Sequence, residues 1–419
     1  MAATGHTVGK DAGRDILTVN AGSSSVRFAF YRPADPPSRI FHGKVDRIGL
    51  SDAYLAFEDD ERATRESRAV AGVDHAAAAS AMLDCLDARI GRAAVGAAGH
   101  RVVHGGARYR EPTILTEEVL ATLREIAAWS PEHLPPQIAL IERLHRHWPQ
   151  IPHVACFDTA FHRDMPRVAA LLPLPRRYEA QGVARYGFHG LSYAYVMEAL
   201  AKQAGAEAAR GRFVLAHLGN GASLAAVRDG ASIDTSMGFT PAAGIPMSTR
   251  AGDIDPGLVL YFAATEGMTA ARFHRMVNRE SGLLGVSETS SDVRDLLARE
   301  VDDVRAREAL ALFCYQAKKS IGAFAAALGG LDGVVFTGGI GENAPVIRER
   351  ICDGLGLLGI ALDPAQNFAG ADVISARGSR VAVRVIRTDE EAMIARGVVA
   401  VMNNEQPVQR AGDPSRSER

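Results

Sequence analysis

The stretch ILTVNAGSSSVRFAF, from Ile16 to Phe30, contains two apolar segments separated by a short polar one. Each apolar segment has the length and residue types of a β-strand, so the pattern predicts a hairpin. Gly22 supplies the turn, but a turn does not require an amide and three consecutive hydroxyl groups. Small polar side chains and free backbone N–H groups at such a turn suit an anionic oxygen such as that of phosphate. The stretch therefore predicts a phosphate-sized loop between two strands.

A second stretch, FVLAHLGNGASLAAVRDG from Phe213 to Gly230, repeats this pattern further along the chain. An apolar strand again leads into a small polar turn with glycine, and the next strand ends at Asp229-Gly230. Two related domains, each with a phosphate-sized loop, would produce this repeat. On the pattern alone, two unrelated hairpins with glycine turns explain it equally well.

The composition is that of a globular chain too long for a single core. Apolar residues make up 47% of the chain and charged residues 23%, which is ordinary for a globular protein. The length of 419 residues favours two domains. The formal net charge of −2, without a long basic run, argues against nucleic acid or an anionic membrane as a partner. No apolar run reaches the roughly 18 residues that a membrane helix requires.

The cysteines and the termini bear on the location of the protein. The four cysteines are widely spaced, which favours neither a zinc site nor a disulfide framework and fits a reducing cytosol. The first residues, MAATGHTVGKDAGRD, lack the apolar core of a signal peptide. The last residues, NNEQPVQRAGDPSRSER, are typical of a disordered tail. We therefore predict a cytoplasmic protein.

Strand-like and helix-like segments alternate along the chain. Strands are predicted within 93–106 and 153–162, and helices within 116–130, 137–148 and 302–330. In DGVVFTGGIGENAPVIRERI, residues 332–351, a strand leads through a glycine turn into a helix. This alternation predicts an α/β fold with mixed sheets. The polar residues from 163 to 185 are predicted to connect the two halves.

Four segments combine glycine with polar or charged residues. In FTGGIGENA, Gly339 and Gly341 would let the backbone approach an anion or a nucleotide, and Asn343 would cap the helix or bind the ligand. A turn that uses glycine only for its conformation is the commoner explanation. The irregular stretch 234–257 is long enough to suggest function. Glycine-flanked clusters of His and Arg occur at 100–106 and 185–190.

Nine motifs, in order along the chain, resemble those of the acetate kinase family. They are VNAGSSSVRF, GHRVVHGG, FDTAFH, RYGFHGLSY, HLGNGAS, DTSMGFTP, TRAGDIDPG, FTGGIGENA and TDEEAMIAR. Each motif spans several residues, so chance agreement of all nine is negligible. The family belongs to the superfamily of actin, sugar kinases and heat-shock ATPases. The resemblance therefore implies two duplicated actin-like (ribonuclease H-like) domains with mixed sheets and a cleft between them.

The resemblance also implies an activity and a domain arrangement. The activity is reversible, Mg²⁺-dependent transfer of the ATP γ-phosphoryl group to acetate, giving acetyl phosphate and ADP, with Mn²⁺ as an alternative metal. The expected assembly is a cytoplasmic homodimer. The expected N-terminal domain comprises residues 14–160 and about 391–405, and the C-terminal nucleotide-binding domain comprises 161–390. Residues 1–13 and 406–419 are expected to be flexible tails.

The resemblance assigns site residues by their positions in the motifs. The residues assigned to catalysis are Asp158, His189 and Arg250. Those assigned to the acyl substrate are Arg101, Val103, Phe188 and Pro241, and those assigned to the metal are Asn20 and Glu390. Ser23 and Ser25 fall in the first phosphate loop. The positions assigned to the nucleotide are Arg27, His217, Leu218, Gly219, Asn220, Gly221, Asp292, Val293, Arg294, Gly339, Ile340, Gly341, Glu342 and Asn343.

The chemistry of the implied reaction fits these residue types. Acetate is ionised at neutral pH because a carboxyl pKa lies near 4 to 5, so the nucleophile needs no general base. Repulsion between the carboxylate and ATP opposes the reaction, and catalysis then depends on positioning and charge neutralisation. Asp158 would orient a cation or a metal-bound water. A covalent aspartyl- or glutamyl-phosphate remains the alternative mechanism.

Several positions differ from the usual family pattern. Arg27 replaces a lysine, which keeps the charge but changes its geometry. Leu191 and Tyr193 are unusual in the motif that follows His189. Val293 occupies the place of an aromatic residue beside the adenine, which predicts weaker stacking on the nucleotide.

The largest difference is at Glu132, in SPEHLPPQ, where the family usually has a leucine that lines the pocket for the acetate methyl group. Either Glu132 turns outward and Leu134 covers the acyl group, or it faces inward and pairs with a cation or with a polar acid. We favour the outward orientation, because Val103, Phe188 and Pro241 retain an apolar wall. A kinase for another short-chain acid, such as propionate, and a non-catalytic nucleotide-binding relative are the alternative functions.

Overall fold

The computed structural model describes residues 15–22, 25–49, 51–70 and 74–405. Ser23 and both predicted tails lie outside these residues. Within them the chain forms one sheet of eight strands and one of five, with helices between and around the strands. No helix in this part of the chain is both long and apolar enough to cross a membrane.

The first sheet contains the opening hairpin. Its strands are β1 (Asp15–Ala21), β2 (Ser25–Arg32), β3 (Ser38–Asp46), β4 (Tyr54–Asp59), β5 (Thr64–Ala69), β6 (Val95–Val102), β7 (Thr113–Ile114) and β8 (His153–Phe157). They lie in the order β5-β4-β3-β2-β1-β6-β8-β7. Strands β1 to β5 are antiparallel neighbours, whereas β6 runs parallel to β1 and β8 parallel to β6. The sheet is therefore mixed, as the alternation of segments predicted.

The second sheet contains the repeat of that hairpin. Its strands are β9 (Arg212–Leu218), β10 (Ala222–Arg228), β11 (Ala231–Thr235), β12 (Gly333–Thr337) and β13 (Ala382–Val385), in the order β11-β10-β9-β12-β13. Strand β9 pairs with β10 as an antiparallel hairpin and with β12 in parallel. Strand β1 has the same two kinds of neighbour in the first sheet. The two hairpins thus occupy equivalent places, and the predicted duplication is confirmed.

The helices connect and cover these sheets. They are α1 (His75–Arg89), α2 (Glu117–Glu125), α3 (Leu134–His147), α4 (Arg167–Ala170), α5 (Arg176–Glu179), α6 (Gly190–Ala204), α7 (Gly257–Glu266), α8 (Ala270–Arg279), α9 (Gly282–Ser287), α10 (Val293–Arg299), α11 (Val304–Leu328), α12 (Gly338–Asn343), α13 (Pro345–Cys352), α14 (Pro364–Ala369) and α15 (Glu390–Glu405). Helix α11 follows its sequence signals closely. The Asp303 side chain accepts hydrogen bonds from two backbone N–H groups at its start, and Gly329, with φ 70°, ends it.

One local prediction was wrong. The glycines after β12 were expected to form a turn before a helix, but Gly338 to Asn343 themselves form the short helix α12. Gly338 has φ 76° and takes the chain sharply out of the strand. The glycine segment is therefore a rigid first turn placed directly at the end of a buried strand.

Helix α15 follows β13 of the second sheet but packs on β1, β6 and β8 of the first. Two glycines permit its close approach. A Cβ atom on Gly99 would lie 2.5 Å from a methyl carbon of Ile394, and one on Gly397 would lie 2.8 Å from the sulfur of Cys156. Since α15 begins at Glu390, this packing fixes the depth of that carboxylate relative to the first sheet.

Candidate active site

The parallel strands of the first sheet bring three of the predicted residues together. Asn20 lies near the end of β1, Arg101 near the end of β6, and Asp158 directly after β8. The carboxyl ends of neighbouring parallel strands meet at one edge of a sheet, and ligands bind there in many α/β proteins. Residues separated by more than 130 positions therefore share one site.

Arg101 and Asp158 form a buried ion pair at this edge. The Arg101 Nε donates to Asp158 Oδ2 at 2.9 Å, and Nη2 donates to the same oxygen. Asp158 is completely buried, and its Oδ1 has no hydrogen-bond partner among the described residues. Burial raises the pKa of Asp158, and Arg101 opposes that shift. Although burial works against it, Asp158 raises the pKa of Arg101, which is therefore a permanent cation.

Asn20 joins this pair to two carboxylates at the start of α15. Its Nδ2 donates to Glu390 at 2.7 Å and to Glu391 at 3.1 Å, and Arg101 donates to its Oδ1 at 3.4 Å. Burial alone would raise the pKa of Glu390, but Arg101 and His217 hold it below its usual value. Burial raises the pKa of Glu391. Sequence analysis missed Glu391, although it follows Glu390 directly.

These groups fit a magnesium ion that also binds phosphate oxygens. Mg²⁺ prefers oxygen ligands and usually takes only one or two carboxylates, completing its shell with water and substrate phosphates. Glu390 and the Oδ1 atom of Asp158, which has no hydrogen-bond partner among the described residues, would be suitable oxygen ligands. No cluster of three or more His, Cys, Asp or Glu arranged for a metal occurs among the described residues.

His189 is held in a fixed orientation on the facing side. It has φ 59°, in the left-handed region, and directly precedes α6. Its Nδ1 lies 2.8 Å from Ser223 Oγ, and the Tyr193 hydroxyl lies 2.5 Å from the same oxygen. Tyr193 was unusual in the sequence motif, and the structure gives it a positioning contact. The role of Ser223 was missed, since nothing in the hairpin pattern distinguishes it from a turn serine.

His189 stacks on His217, the last-but-one residue of β9. The ring centroids are 4.1 Å apart, and Ser192 Oγ lies 2.8 Å from His217 Nδ1. Burial lowers the pKa of His217 to about 4. Burial and the neighbouring His217 also hold the pKa of His189 well below its ordinary value. Both rings are therefore neutral at pH 7 and act as hydrogen-bonding groups rather than as cations.

Arg250 supplies the positive charge that these histidines lack. Its Nη1 donates to the Pro241 carbonyl at 2.7 Å, and burial together with Arg101 lowers its pKa to about 10, so it remains charged at pH 7. A Cβ atom on Gly221 would lie 3.2 Å from His189 Nε2 and 3.5 Å from Arg250 Nη2. The two side chains thus converge on Gly221, where a methyl group would fit only tightly against His189.

The residues assigned to the acyl pocket form an apolar wall. Val103 and Phe188 are each 1% exposed, and Pro241 is buried. Leu134 is fully buried in the same apolar cluster as Val103 and Phe188. The hydrocarbon end of a short acid would therefore meet a surface without charge.

The Glu132 carboxylate does not join this wall. It pairs with Arg279 through two guanidinium nitrogens, one of them, Nε, at 2.6 Å, and it lies 3.6 Å from His274 Nε2. The orientation is therefore outward, toward α8, as we favoured. A cation partner was expected only for the inward orientation. Glu132 nevertheless has one in the outward orientation, namely Arg279 of the same chain.

The nucleotide positions form two adjoining glycine segments. The N–H group of Gly219 donates to the Gly221 carbonyl at 3.1 Å, and a Cβ atom on Gly219 would lie 3.9 Å from the Gly339 nitrogen. Asn220 is exposed, and its carbonyl accepts from the N–H group of Ser248 at 3.3 Å. Leu218 is fully buried and anchors the strand below this turn.

The side chains of α12 bond within their own neighbourhood. Glu342 Oε1 accepts from the N–H groups of Gly338 at 2.9 Å and Thr388 at 3.1 Å. Asn343 Nδ2 donates to the Gly339 carbonyl at 2.9 Å and does not cap the following helix. Ile340 is partly buried against the core. The group left for a ligand here is mainly backbone.

The segment 292–294 divides its residues between different tasks. Asp292 accepts from the Arg294 N–H group at 2.8 Å and caps α10, and the two side chains pair with each other. The Arg294 side chain is 89% exposed. Val293 is 4% exposed and packs in the core, so its position is not an open stacking surface. Arg27 lies on β2 opposite Asn20 and is exposed.

His133 is a further member of the site that sequence analysis missed. It follows Glu132 directly, and burial, Arg250 and Arg101 together lower its pKa to about 3. A neutral imidazole therefore lies within the field of both arginines. In the sequence, His133 lies between prolines in SPEHLPPQ, next to the unusual Glu132. That position alone does not distinguish it from a surface histidine.

The sequence has a clear family match. The acetokinase family profile matches residues 15–396. The acetate kinase of Rhodopseudomonas palustris is 44% identical over 388 residues, which cover 91% of this chain and 97% of the relative. The propionate kinase of Citrobacter rodentium is 42% identical over 400 residues, covering 94% and 98%.

Solved structures agree with the sequence matches. A propionate kinase from Francisella tularensis has a TM-score of 0.83 at 34% identity, covering 91% of this chain and 98% of that one. The acetate kinase of Porphyromonas gingivalis has a TM-score of 0.81 at 35% identity, covering 93% and 99%. The similarity therefore extends over both sheets.

Proposed function

The chain belongs to the acetokinase family, and from that premise we propose that it transfers the γ-phosphoryl group of ATP reversibly to acetate, giving acetyl phosphate and ADP. The observation that carries the proposal is the convergence of Arg101, Asp158 and Glu390 at one sheet edge. They lie within electrostatic reach of His217 and Arg250 on the facing side. Two arginines and two carboxylates near one another suit phosphate oxygens together with a divalent cation.

The reaction needs positioning more than proton transfer. An acetate oxygen attacks the γ-phosphorus, a P–O bond forms, and the bond to the β–γ bridging oxygen breaks as ADP leaves. Arg101 would hold the attacking carboxylate, while Arg250 and the neutral His189 would donate to the oxygens of the transferring group. The methyl group would rest on Val103 and Phe188. When bound, Mg²⁺ would neutralise phosphate charge, held by Glu390 and Asp158.

Direct transfer is favoured over a phosphorylated aspartate. Both bonds from Arg101 go to Oδ2 of Asp158, which leaves only Oδ1 free. An oxygen held by a guanidinium is a weakened nucleophile, and the remaining oxygen is better used to orient a metal or its water. Asp158 then acts by orientation.

Propionate is the second candidate substrate. Two of the relatives reported above are propionate kinases, and the wall formed by Val103, Phe188 and Leu134 is apolar. One additional methylene in an apolar pocket changes binding by only about 1–3 kcal/mol, so activity on both acids is expected. Acetate remains first, because most of the curated relatives are acetate kinases.

We further propose a cytoplasmic homodimer with domains 14–160 plus 391–405 and 161–390. Helix α7 supports the dimer, because it is rich in apolar residues and every one of its residues remains at least partly exposed. Leu260 is 75% exposed, with Val259 and Tyr261 beside it. Apolar helix surfaces of this kind usually mark an interface. Analytical ultracentrifugation should give a dimer, and Leu260→Glu should shift it toward monomer.

A hydroxamate assay with ATP, Mg²⁺ and a panel of small acids tests the activity. We expect product with acetate and a smaller kcat/KM with propionate. Mn²⁺ should replace Mg²⁺ with partial activity. Absence of product with every short-chain acid, from folded protein that still binds ATP, would favour the non-catalytic alternative.

A further inference from the structure

The ion pair between Glu132 and Arg279 joins the two halves of the chain. Glu132 lies between the helices α2 and α3 beside the first sheet, whereas Arg279 ends α8, which belongs to the excursion between β11 and β12. The partners are 147 residues apart in sequence. The Glu132 side chain is 23% exposed and that of Arg279 is 61% exposed. The carboxylate is therefore the more buried of the two charges.

The end of α8 is tied to the segment that carries Arg250. The Ala251 N–H group donates to the Val277 carbonyl at 2.8 Å, and the Ser281 N–H group donates to the Thr249 carbonyl at 3.0 Å. Thr249 Oγ1 donates to the Asn278 carbonyl at 3.0 Å. These bonds flank both Arg250 and Arg279, so a displacement of one backbone segment would also displace the other.

Glu132 is linked to Arg250 through Arg279 and the backbone hydrogen bonds that hold the end of α8 against residues 249–251. The carboxylate of Glu132 favours the protonated form of Arg250, and the adjacent His133 lies in the field of both Arg250 and Arg101. A carboxylate that turned toward Arg250 would occupy the cation that the transferring phosphoryl group needs. It would also repel an anionic acid substrate.

We propose that Arg279 is a positioning residue that holds the Glu132 carboxylate away from Arg250 and so keeps that cation available for the transferring phosphoryl group. This inference rests on the proposed function. Its consequence is an asymmetry: removing Arg279 leaves a partly buried carboxylate free beside the site, whereas removing Glu132 leaves only an exposed guanidinium. The loss of Arg279 should therefore be the more harmful change, and the simultaneous loss of Glu132 should repair it.

The test is a double-mutant cycle on the full-length protein at pH 8. Arg279→Ala should lower kcat/KM for acetate by about tenfold, with KM for ATP within about twofold of wild type. Glu132→Ala should change kcat/KM by less than about threefold, and Glu132→Ala with Arg279→Ala should return to within about threefold of wild type. Arg279→Lys should retain most activity.

The control is Glu280→Ala, which removes the two ion pairs that Glu280, the residue directly after α8, makes with Arg272 and Arg275. It leaves Glu132 and Arg279 in place. It should leave kcat/KM for acetate unchanged. Thermal melting of each variant checks folding. Equal losses in both single variants, no repair in the double variant, or a normal Arg279→Ala would each overturn the proposal. An inactive wild type would instead refute the proposed function.

Discussion

The proposed site has a phosphoryl end around Arg101 and a nucleotide end at the glycine segments, and the two ends are built from different kinds of group. At the phosphoryl end, Arg101, Asp158, Asn20 and Glu390 are charged or amide side chains that bond to one another in a buried chain. At the nucleotide end, glycine backbone is presented, and the polar side chains bond within their own segments, as Asp292 and Arg294 do.

The two ends therefore differ in whether their charged side chains are buried or exposed to water. A buried network of charges is costly to break, because the group left behind is unpaired and poorly solvated. Exposed pairs contribute little, because water replaces the lost partner. The two ends should therefore respond very differently to substitutions that look alike in the sequence.

The largest expected effect is that of Arg250→Ala. The change removes the cation that converges with His189 on Gly221, and kcat should fall by about 10²–10³, or about 3–4 kcal/mol. Steady-state kinetics in the direction of acetyl phosphate formation measure it. A kcat near that of wild type would show that this end does not stabilise the transferring group.

Arg101→Ala should affect both folding and substrate binding. It leaves Asp158 buried without its partner, which should lower the free energy of unfolding by about 3 kcal/mol. KM for acetate should rise more than KM for ATP, because Arg101 is the residue proposed to hold the carboxylate of the acid. Urea denaturation and separate titrations of the two substrates measure these effects. Equal changes in both KM values would contradict the assignment.

Asp158→Asn should lower kcat about thirtyfold while changing ATP affinity far less. The amide keeps the shape of the side chain but weakens its contact with Arg101. Rapid acid quenching with labelled ATP should trap no phosphoryl group on the wild-type protein. A kinetically competent phosphoenzyme modified at Asp158 would establish the covalent route instead.

The free energy of unfolding should decrease at acid pH because of His217. His217 has its pKa lowered to about 4 by burial, so it stays neutral in the folded protein while the unfolded chain binds a proton below its ordinary pKa near 6.5. Stability is therefore present above pH 6.5 and is lost as the pH falls toward 4. Between pH 7.5 and 5, the free energy of unfolding should fall about 1–2 kcal/mol less in His217→Gln than in wild type. An identical decrease in both proteins would exclude this contribution.

The smallest expected effect is that of Arg294→Ala at the nucleotide end. Its side chain is 89% exposed and pairs only with Asp292 among the contacts described here, so KM for ATP should rise by less than about threefold with kcat unchanged. Isothermal titration with ADP provides an independent measure. A loss comparable to that of Arg250→Ala would remove the distinction between the two ends.

Features that depend on residues close together in the sequence could be predicted from it. The hairpins at Gly22 and Asn220 and the long helix between Asp303 and Gly329 depend on neighbouring residues, and all of them were predicted. The pairing of Glu132 with Arg279 was not, because their meeting depends on how distant segments pack. The glycines of α12 were misread for a related reason: glycine permits a turn and a strained helix start alike.

The glycines beneath α15 have a consequence for how mutational data on this protein should be read. Gly99 and Gly397 are not among the residues proposed to bind the substrates, yet a methyl group on either would clash with atoms of the opposing surface, and we expect it to displace the helix that starts with Glu390. A screen for lost activity would therefore score both positions beside Arg101 and Asp158. The loss of activity would then result from a changed distance between α15 and the first sheet, which the two glycines set by lacking side chains. It would not show that either glycine takes part in the reaction.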